Sequence, residues 1–170
     1  MTTEFKYLNK PAQRVDGLDK VTGKAKFVGD IHLSGMLYTA VLRSPLPHAL
    51  IKSLDVSPAL KVPGVKAVIT PEDFVEHGNF GWPVKDAYVL AWQKVRHVGD
   101  PIAAVAAESE AAAKAGIRAI RLELQALPVV ADMRHALDEN APLVPLVAPL
   151  ERGNLVNTQI VRYGEPDPIL

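Results

Sequence analysis

The chain has 170 residues, 48% of them apolar, with 19 basic and 19 acidic side chains and no cysteine. The length suits one domain, or one domain with an appended piece, and the apolar content excludes wholesale disorder. Zero net charge supplies no field to draw phosphate backbones or anionic lipid, so no nucleic acid or membrane partner is expected; without cysteine there are no disulfides, cysteine-ligated zinc, thiolate catalysis or self-ligated iron–sulfur clusters.

Met1 to Lys10 alternates polar with apolar residues and lacks the cationic segment and apolar core of a signal peptide. The longest wholly apolar run, Ile102 to Ala107, falls far short of the roughly 18 residues that cross a bilayer, so a cytoplasmic location is expected. The 14 prolines disfavour a helix bundle and point to short strands and short helices, an α+β fold. Gly17, Gly23, Gly29 and Gly35 fall six apart, but no fixed apolar position accompanies them, so they read as turns rather than rungs of a β-helix.

Met36 to Leu42 is apolar at nearly every position, as an interior strand covered on both faces would be. Two prolines in Arg43 to His48 turn the chain into a second strand, Ala49 to Val56, after which Ser57-Pro58 reads as a helix cap with proline at the first helical position. Pro63-Gly64 ends that turn, and a third strand follows at Val65 to Ile69. Thr70-Pro71 predicts a helix reaching Gly78, and residues 79–93, with Trp82, Trp92 and Tyr88, read as a loop. Ile102 to Ala107 predicts a buried strand, Ser109 the cap of an alanine-rich helix, and Ile120, Leu122 and Leu124 a strand with one wet face. Asp132 predicts a last short helix through Leu137. Residues 141–149 carry three prolines and read as an extended connector. Beyond it the β-branched Val156, Thr158 and Ile160 predict a strand, and Asp167-Pro168 the start of a helix too short to persist alone, as if a further domain began there.

Candidate chemistry is sparse. Asp73 and His77, four apart on the expected helix beside Glu72 and Glu76, would face one way as metal ligands do, yet no third ligand has diagnostic spacing, and a solvated face explains them as well. Asp132 and His135 read the same way. Ser44 and His48 have the residue types of a nucleophile and its base, but Ser44 lacks the glycine-flanked elbow that exposes such a serine. The tryptophans and Tyr88 could stack a flat ligand or cover the domain's own core. No glycine cluster cradles a phosphate. The residues alone assign no catalytic, cofactor-binding or metal position.

Taken in order, Arg14-Val-Asp-Gly17, Lys20-Val-Thr-Gly-Lys-Ala-Lys-Phe27, Gly35-Met-Leu-Tyr38, Leu42-Arg-Ser-Pro45, His48-Ala49, Ala67-Val-Ile-Thr70, Val98-Gly-Asp-Pro101, Ala104-Val-Ala-Ala-Glu108 and Leu127-Pro128 form a recognisable series. With it the chain resembles the N-terminal α/β-hammerhead region of the molybdenum-binding (molybdopterin) subunit of the xanthine dehydrogenase and aldehyde oxidase family, from about Arg14 to Leu143. Gly153-Asn154 and Gly164-Glu165 resemble the entry into that subunit's first cofactor-binding domain, where Gly-Asp is commoner than Gly-Glu; Leu46-Pro47 departs from the family's frequent His-Ala.

The resemblance implies a hammerhead domain with an N-terminal extension over residues 1–138, a connector over 139–150 and the start of a cofactor-binding domain over 151–170. It implies an oxidoreductase that inserts a water-derived oxygen into an aldehyde or N-heterocycle C–H bond or, in one branch, reduces an aromatic thioester. The complete enzyme would carry a molybdopterin-type molybdenum cofactor, two [2Fe-2S] clusters and often FAD. Its glycine-rich cofactor loops and glutamate base lie in later domains, so this chain would supply scaffold and contacts to the remaining molybdenum-binding domains, an iron–sulfur subunit and a flavin subunit. The alternative is a stand-alone, non-catalytic hammerhead module that binds a protein or small ligand.

Overall fold

The computed structural model describes residue 8 and residues 10–82, 85–146, 153–161 and 163–164, with the backbone only at Val75. The chain divides into two compact units, Met1–Met36 and Leu37–Leu170. Among the described residues the first unit holds one short helix, α1 (Gly17–Val21), and a 3-10 turn at Val28–Asp30, neither with a buried residue.

The second unit is built on two antiparallel sheets. Strands β1 (Tyr38–Arg43), β7 (Pro101–Ala107) and β3 (Val65–Ile69) form one, in the order β1-β7-β3. Strands β6 (Lys94–Val95), β2 (Ala49–Asp55) and β8 (Arg121–Ala126) form the other, in the order β6-β2-β8. A two-residue hairpin, β4 (Asn79–Phe80) with β5 (Ala87–Tyr88), stands within the segment expected to be a loop.

The central strand β7 is as buried as its composition requires: Ile102, Ala103, Val105 and Ala107 are fully covered. Ser109 caps α3 (Glu110–Ala119), its Oγ accepting from the Ala112 amide at 3.2 Å. The helix packs on the first sheet through its smallest residues. Gly64, at φ +86°, turns the chain so that a Cβ there would stand 3.2 Å from that of Ala112. Leu122 and Leu124 of β8 join Ile51 and Leu54 of β2, Leu42 of β1 and Leu46 around a buried cluster of Ala49, Ala91, Val95 and Ile102 that draws on both sheets. The alternation of β8 thus places its two leucines inward and Arg121 and Glu123 outward.

Several elements differ from expectation. Strand β1 begins at Tyr38 and alternates, with Val41 37% exposed, so within the second unit the described residues cover only one of its faces. Helix α2 (Ser57–Leu60) is capped from outside: Asp55 Oδ1 accepts from the Ser57 amide at 3.0 Å, while Ser57 is itself helical. The helix expected at Pro71 to Gly78 is two 3-10 turns, because Glu76 (φ +49°) and His77 (φ +56°) sit in the left-handed region and break the α ladder. Asp132 caps only a 3-10 turn, Met133–His135. Residues 156–161 form no strand; among the described residues no ladder pairs with them, and β-branched side chains alone do not make one. The helix expected at Asp167 and the end of the proline connector lie outside the described residues.

Candidate functional site

The four residue sets with chemical potential are each committed to local structure. Ser44 is 2% exposed, and its Oγ donates to the Leu46 carbonyl at 2.8 Å and accepts from the Leu46 amide at 3.1 Å, a closed turn within the Pro45/Pro47 loop. His48 is 4% exposed and donates from Nδ1 to the Pro128 carbonyl at 2.6 Å; a carbonyl only accepts, which fixes the proton on Nδ1. Its Nε2 is buried without a partner among the described residues. The serine and histidine are not brought together as nucleophile and base.

The same loop explains two of the sequence motifs. The Ser44 amide donates to the Asp100 carbonyl at 2.9 Å, the Gly99 amide to the Ser44 carbonyl at 2.8 Å, and Arg43 Nη1 to the Gly99 carbonyl at 2.9 Å. Asp100, buried, accepts the Arg96 amide on Oδ2 at 2.9 Å. Arg-Ser-Pro and Val-Gly-Asp-Pro, more than fifty residues apart, are therefore two sides of one hydrogen-bonded turn, a structural use of motif residues.

Asp73 and His77 do not share a face. The Asp73 carboxylate accepts the Thr70 amide at 2.7 Å and the Thr70 hydroxyl at 3.1 Å. His77 instead lies with Nδ1 3.4 Å from Glu72 Oε2 and stacks on Trp92, ring centroids 4.1 Å apart and planes within 10°. Tyr88 tilts against the same indole at 5.8 Å, whereas Trp82 is 88% exposed. Beside Trp92 opens a hollow of about 380 Å³ lined in part by Ile51, Val56, Thr70, Glu72 and Gln93. Asp132 turns to Arg134, whose guanidinium and amide hold its carboxyl below the usual range, and His135 pairs with Asp138 at 3.0 Å, so Asp132 and His135 also stay apart.

A polar clasp was not legible in the sequence. Lys94, 8% exposed, donates from Nζ to the carbonyls of Leu143 and Pro145 at 3.0 and 3.1 Å. Asp86 accepts Arg96 Nη1 at 2.8 Å and the Leu146 amide at 3.2 Å. Asn154 accepts from the Val144 amide at 2.8 Å and donates to the carbonyls of Ala136 and Pro142 at 2.9 and 3.0 Å. Residues 142–146 are thus held as a fixed strap. No spacing rule singles out a lysine or an asparagine that bonds to distant backbone.

Residues 22–128 match the family described as aldehyde oxidase and xanthine dehydrogenase, a/b hammerhead domain. The chain belongs to that family. It is 41% identical over 159 residues to a probable xanthine dehydrogenase subunit of Bacillus subtilis, covering 93% of this chain and 21% of the relative. It is 39% identical over 167 residues to the nicotinate dehydrogenase large molybdopterin subunit of Eubacterium barkeri, covering 98% and 38%. Among solved structures it resembles a Cu,Mo-CO dehydrogenase (TM-score 0.72, 34% identity, 78% of this chain and 17% of that one) and the aldehyde oxidoreductase of Desulfovibrio gigas (0.68, 33%, 77% and 16%). The chain therefore spans between a fifth and two fifths of these curated relatives and about a sixth of the solved chains.

This is a family of molybdopterin oxidoreductases, and the hammerhead fold expected from the motifs is the fold found. Among the described residues no three His, Asp or Glu converge as metal ligands, and the sequence has no cysteine for a cluster. No helix among them is long and apolar enough to cross a membrane.

Proposed function

We propose that this chain is the hammerhead part of the large subunit of a molybdenum hydroxylase-type oxidoreductase, and that within it the chain acts as scaffold and subunit contact. The supporting observation is the match over residues 22–128, together with side chains that are spent on turns, caps and the strap. The reaction class of the assembled enzyme is oxidation of an aldehyde or N-heterocycle, C–H plus water giving C–OH, two protons and two electrons, or in one branch reduction of an aromatic thioester. The electrons pass between the molybdenum cofactor and two [2Fe-2S] clusters, often with FAD beyond them, held by the remaining molybdenum-binding domains and by iron–sulfur and flavin subunits.

We assign residues 1–138 to the hammerhead and its N-terminal extension, 139–150 to the connector and 151–170 to the entry of the next domain. The enzyme is placed in the cytoplasm. Metal analysis and native mass test the reading: the isolated chain is expected to hold no molybdenum, iron or flavin, and to join a molybdenum-containing polypeptide in its native assembly. Stoichiometric molybdenum on the isolated chain, or a native chain that stays monomeric, would refute it.

A further inference from the structure

The first sheet has one face too many. Strand register places Tyr38, Ala107 and Val65 on one side with Ala40, Val105 and Val68, and this is the side that α3 covers: Ala107 and Val105 are fully buried and Gly116 sits against Val105 and Val65. The opposite side carries two transverse rows, Val41–Ala104–Ile69 and Thr39–Ala106–Ala67. Five of these six residues are apolar and none is charged. Val41 and Ile69 are 37% and 39% exposed, and Thr39 and Ala67 are exposed as well. An antiparallel sheet that keeps one face in water alternates apolar with polar residues; unbroken apolar runs belong to strands covered twice. The composition of β1 and β7 is that of strands with two covers, and the described residues of the second unit supply one.

We propose that this outer face is the seat of an apolar layer contributed by the rest of the molybdenum-binding polypeptide. The proposal rests on the scaffold reading above and names the surface through which it acts. Three observations select this occupant. The chain corresponds to 17% of the solved CO dehydrogenase chain, so in that relative several times as much protein is held in the same polypeptide at high effective concentration. At the centre of this face β7 presents only the alanines Ala104 and Ala106, between Val41 and Ile69 on the edge strands, so a helix or strand laid across it would meet short side chains and could approach the backbone closely. At one end of these strands Lys66 and Glu108 pair with each other at 2.7 Å, and at the other the one cation of β1, Arg43, is bonded to the Gly99 carbonyl at 2.9 Å, so the face between them is uncharged and offers no acidic or basic partner a charged surface to match.

Because the sequence has no cysteine, a single introduced thiol is the only one in this chain, and its labelling is followed by the mass of this chain after denaturation, apart from the thiols of any partner. Thr39→Cys and Ala67→Cys place one at either edge of the outer face, and Ala111→Cys places a control on the exposed side of α3. Each variant is labelled with iodoacetamide, as the isolated chain and as the native assembly, purified through a tag and identified by its molybdenum content and the mass of the molybdenum-binding polypeptide. In the assembly the first two are expected to react at least about tenfold more slowly than in the isolated chain, as at a water-excluding interface, with the control unchanged. Equal rates in chain and assembly would overturn the proposal and leave the scaffold reading standing. Failure to recover any molybdenum-binding polypeptide with the chain would overturn both. Slow labelling of the isolated chain that recovers on dilution would make the occupant a second copy, and would also overturn it.

Discussion

Gly116 of α3 lies directly over Val105 of β7: a Cβ at position 116 would stand 2.8 Å from Val105 Cγ1 and 3.1 Å from Val65 Cγ2. The helix approaches the sheet at backbone distance because this residue has no side chain. Gly116→Ala would gain about 1 kcal/mol of helix propensity, but it would force the helix away from two β-branched residues anchored in a sheet, which costs about 1–3 kcal/mol. The expected result is a net loss of roughly 1 kcal/mol, read as a lower midpoint in urea unfolding. A higher midpoint would mean that α3 can lift from the sheet at no cost.

What was legible in the sequence follows from how local each signal is. The cap at Ser109, the two-residue alternation of β8 and the compact apolar run of β7 depend on near neighbours, and each is found where its residues place it. The turn from Thr70 to Gly78 failed as a helix because the left-handed Glu76 and His77 are set by a packing event, the stacking of His77 on Trp92, that no local rule contains. Asp73 carries the residue type of a ligand but spends its carboxylate on Thr70. The strap residues Lys94 and Asn154 bond to carbonyls distant in sequence and leave no periodic trace.

His48 gives a ranked prediction. His48→Ala removes the donor to the Pro128 carbonyl and opens a cavity, for a loss of about 2–3 kcal/mol. His48→Asn places an amide N–H near the position of Nδ1 and removes the unpartnered Nε2, so it is expected to cost clearly less. Urea unfolding of the two variants checks the order; equal losses would show that the ring's volume, and not its hydrogen bond, is what the site uses. Ser44→Ala, which loses the closed turn to Leu46, is expected to cost about 1 kcal/mol and to leave any background esterase rate unchanged.

Acid should destabilise the second unit in a defined direction. Asp55, bonded by Ser57, Glu110, bonded by Lys114, and Asp132, bonded by Arg134, all have carboxyls held below their ordinary values. Between the folded and ordinary values the unfolded chain binds more protons, so stability is intact above about pH 5 and falls as pH drops through the folded values. Replacing all three with Asn or Gln is expected to flatten that fall, as followed by circular dichroism at a series of pH values. A fall of unchanged steepness would place the acid sensitivity in other groups.

Lys94 makes the opposite prediction on the alkaline side. Burial first, and the nearby Arg96 charge second, push its ammonium below the ordinary 10.5, with Asp86 opposing in part. The unfolded chain therefore keeps this proton to higher pH than the folded one, and in the window between the two values the unfolded state binds more protons. Stability contributed at this site rises with pH across that window, and the penalty is constant below it. Lys94→Met removes the titration and leaves the carbonyls of Leu143 and Pro145 without their donor, at a cost of about 1–3 kcal/mol at neutral pH. The neutral amine of the native lysine still donates, so the gap between native and Lys94→Met stability is expected to widen as pH is raised toward 10.5. Urea unfolding of both proteins from about pH 7 to about pH 10 measures that gap directly, because every other titrating group is common to the two. Faster proteolysis within residues 142–146 of the variant is the structural counterpart, since the strap has lost one of its three anchors. Parallel stability curves with unchanged proteolysis would show that Lys94 neither titrates below its ordinary value nor holds the strap.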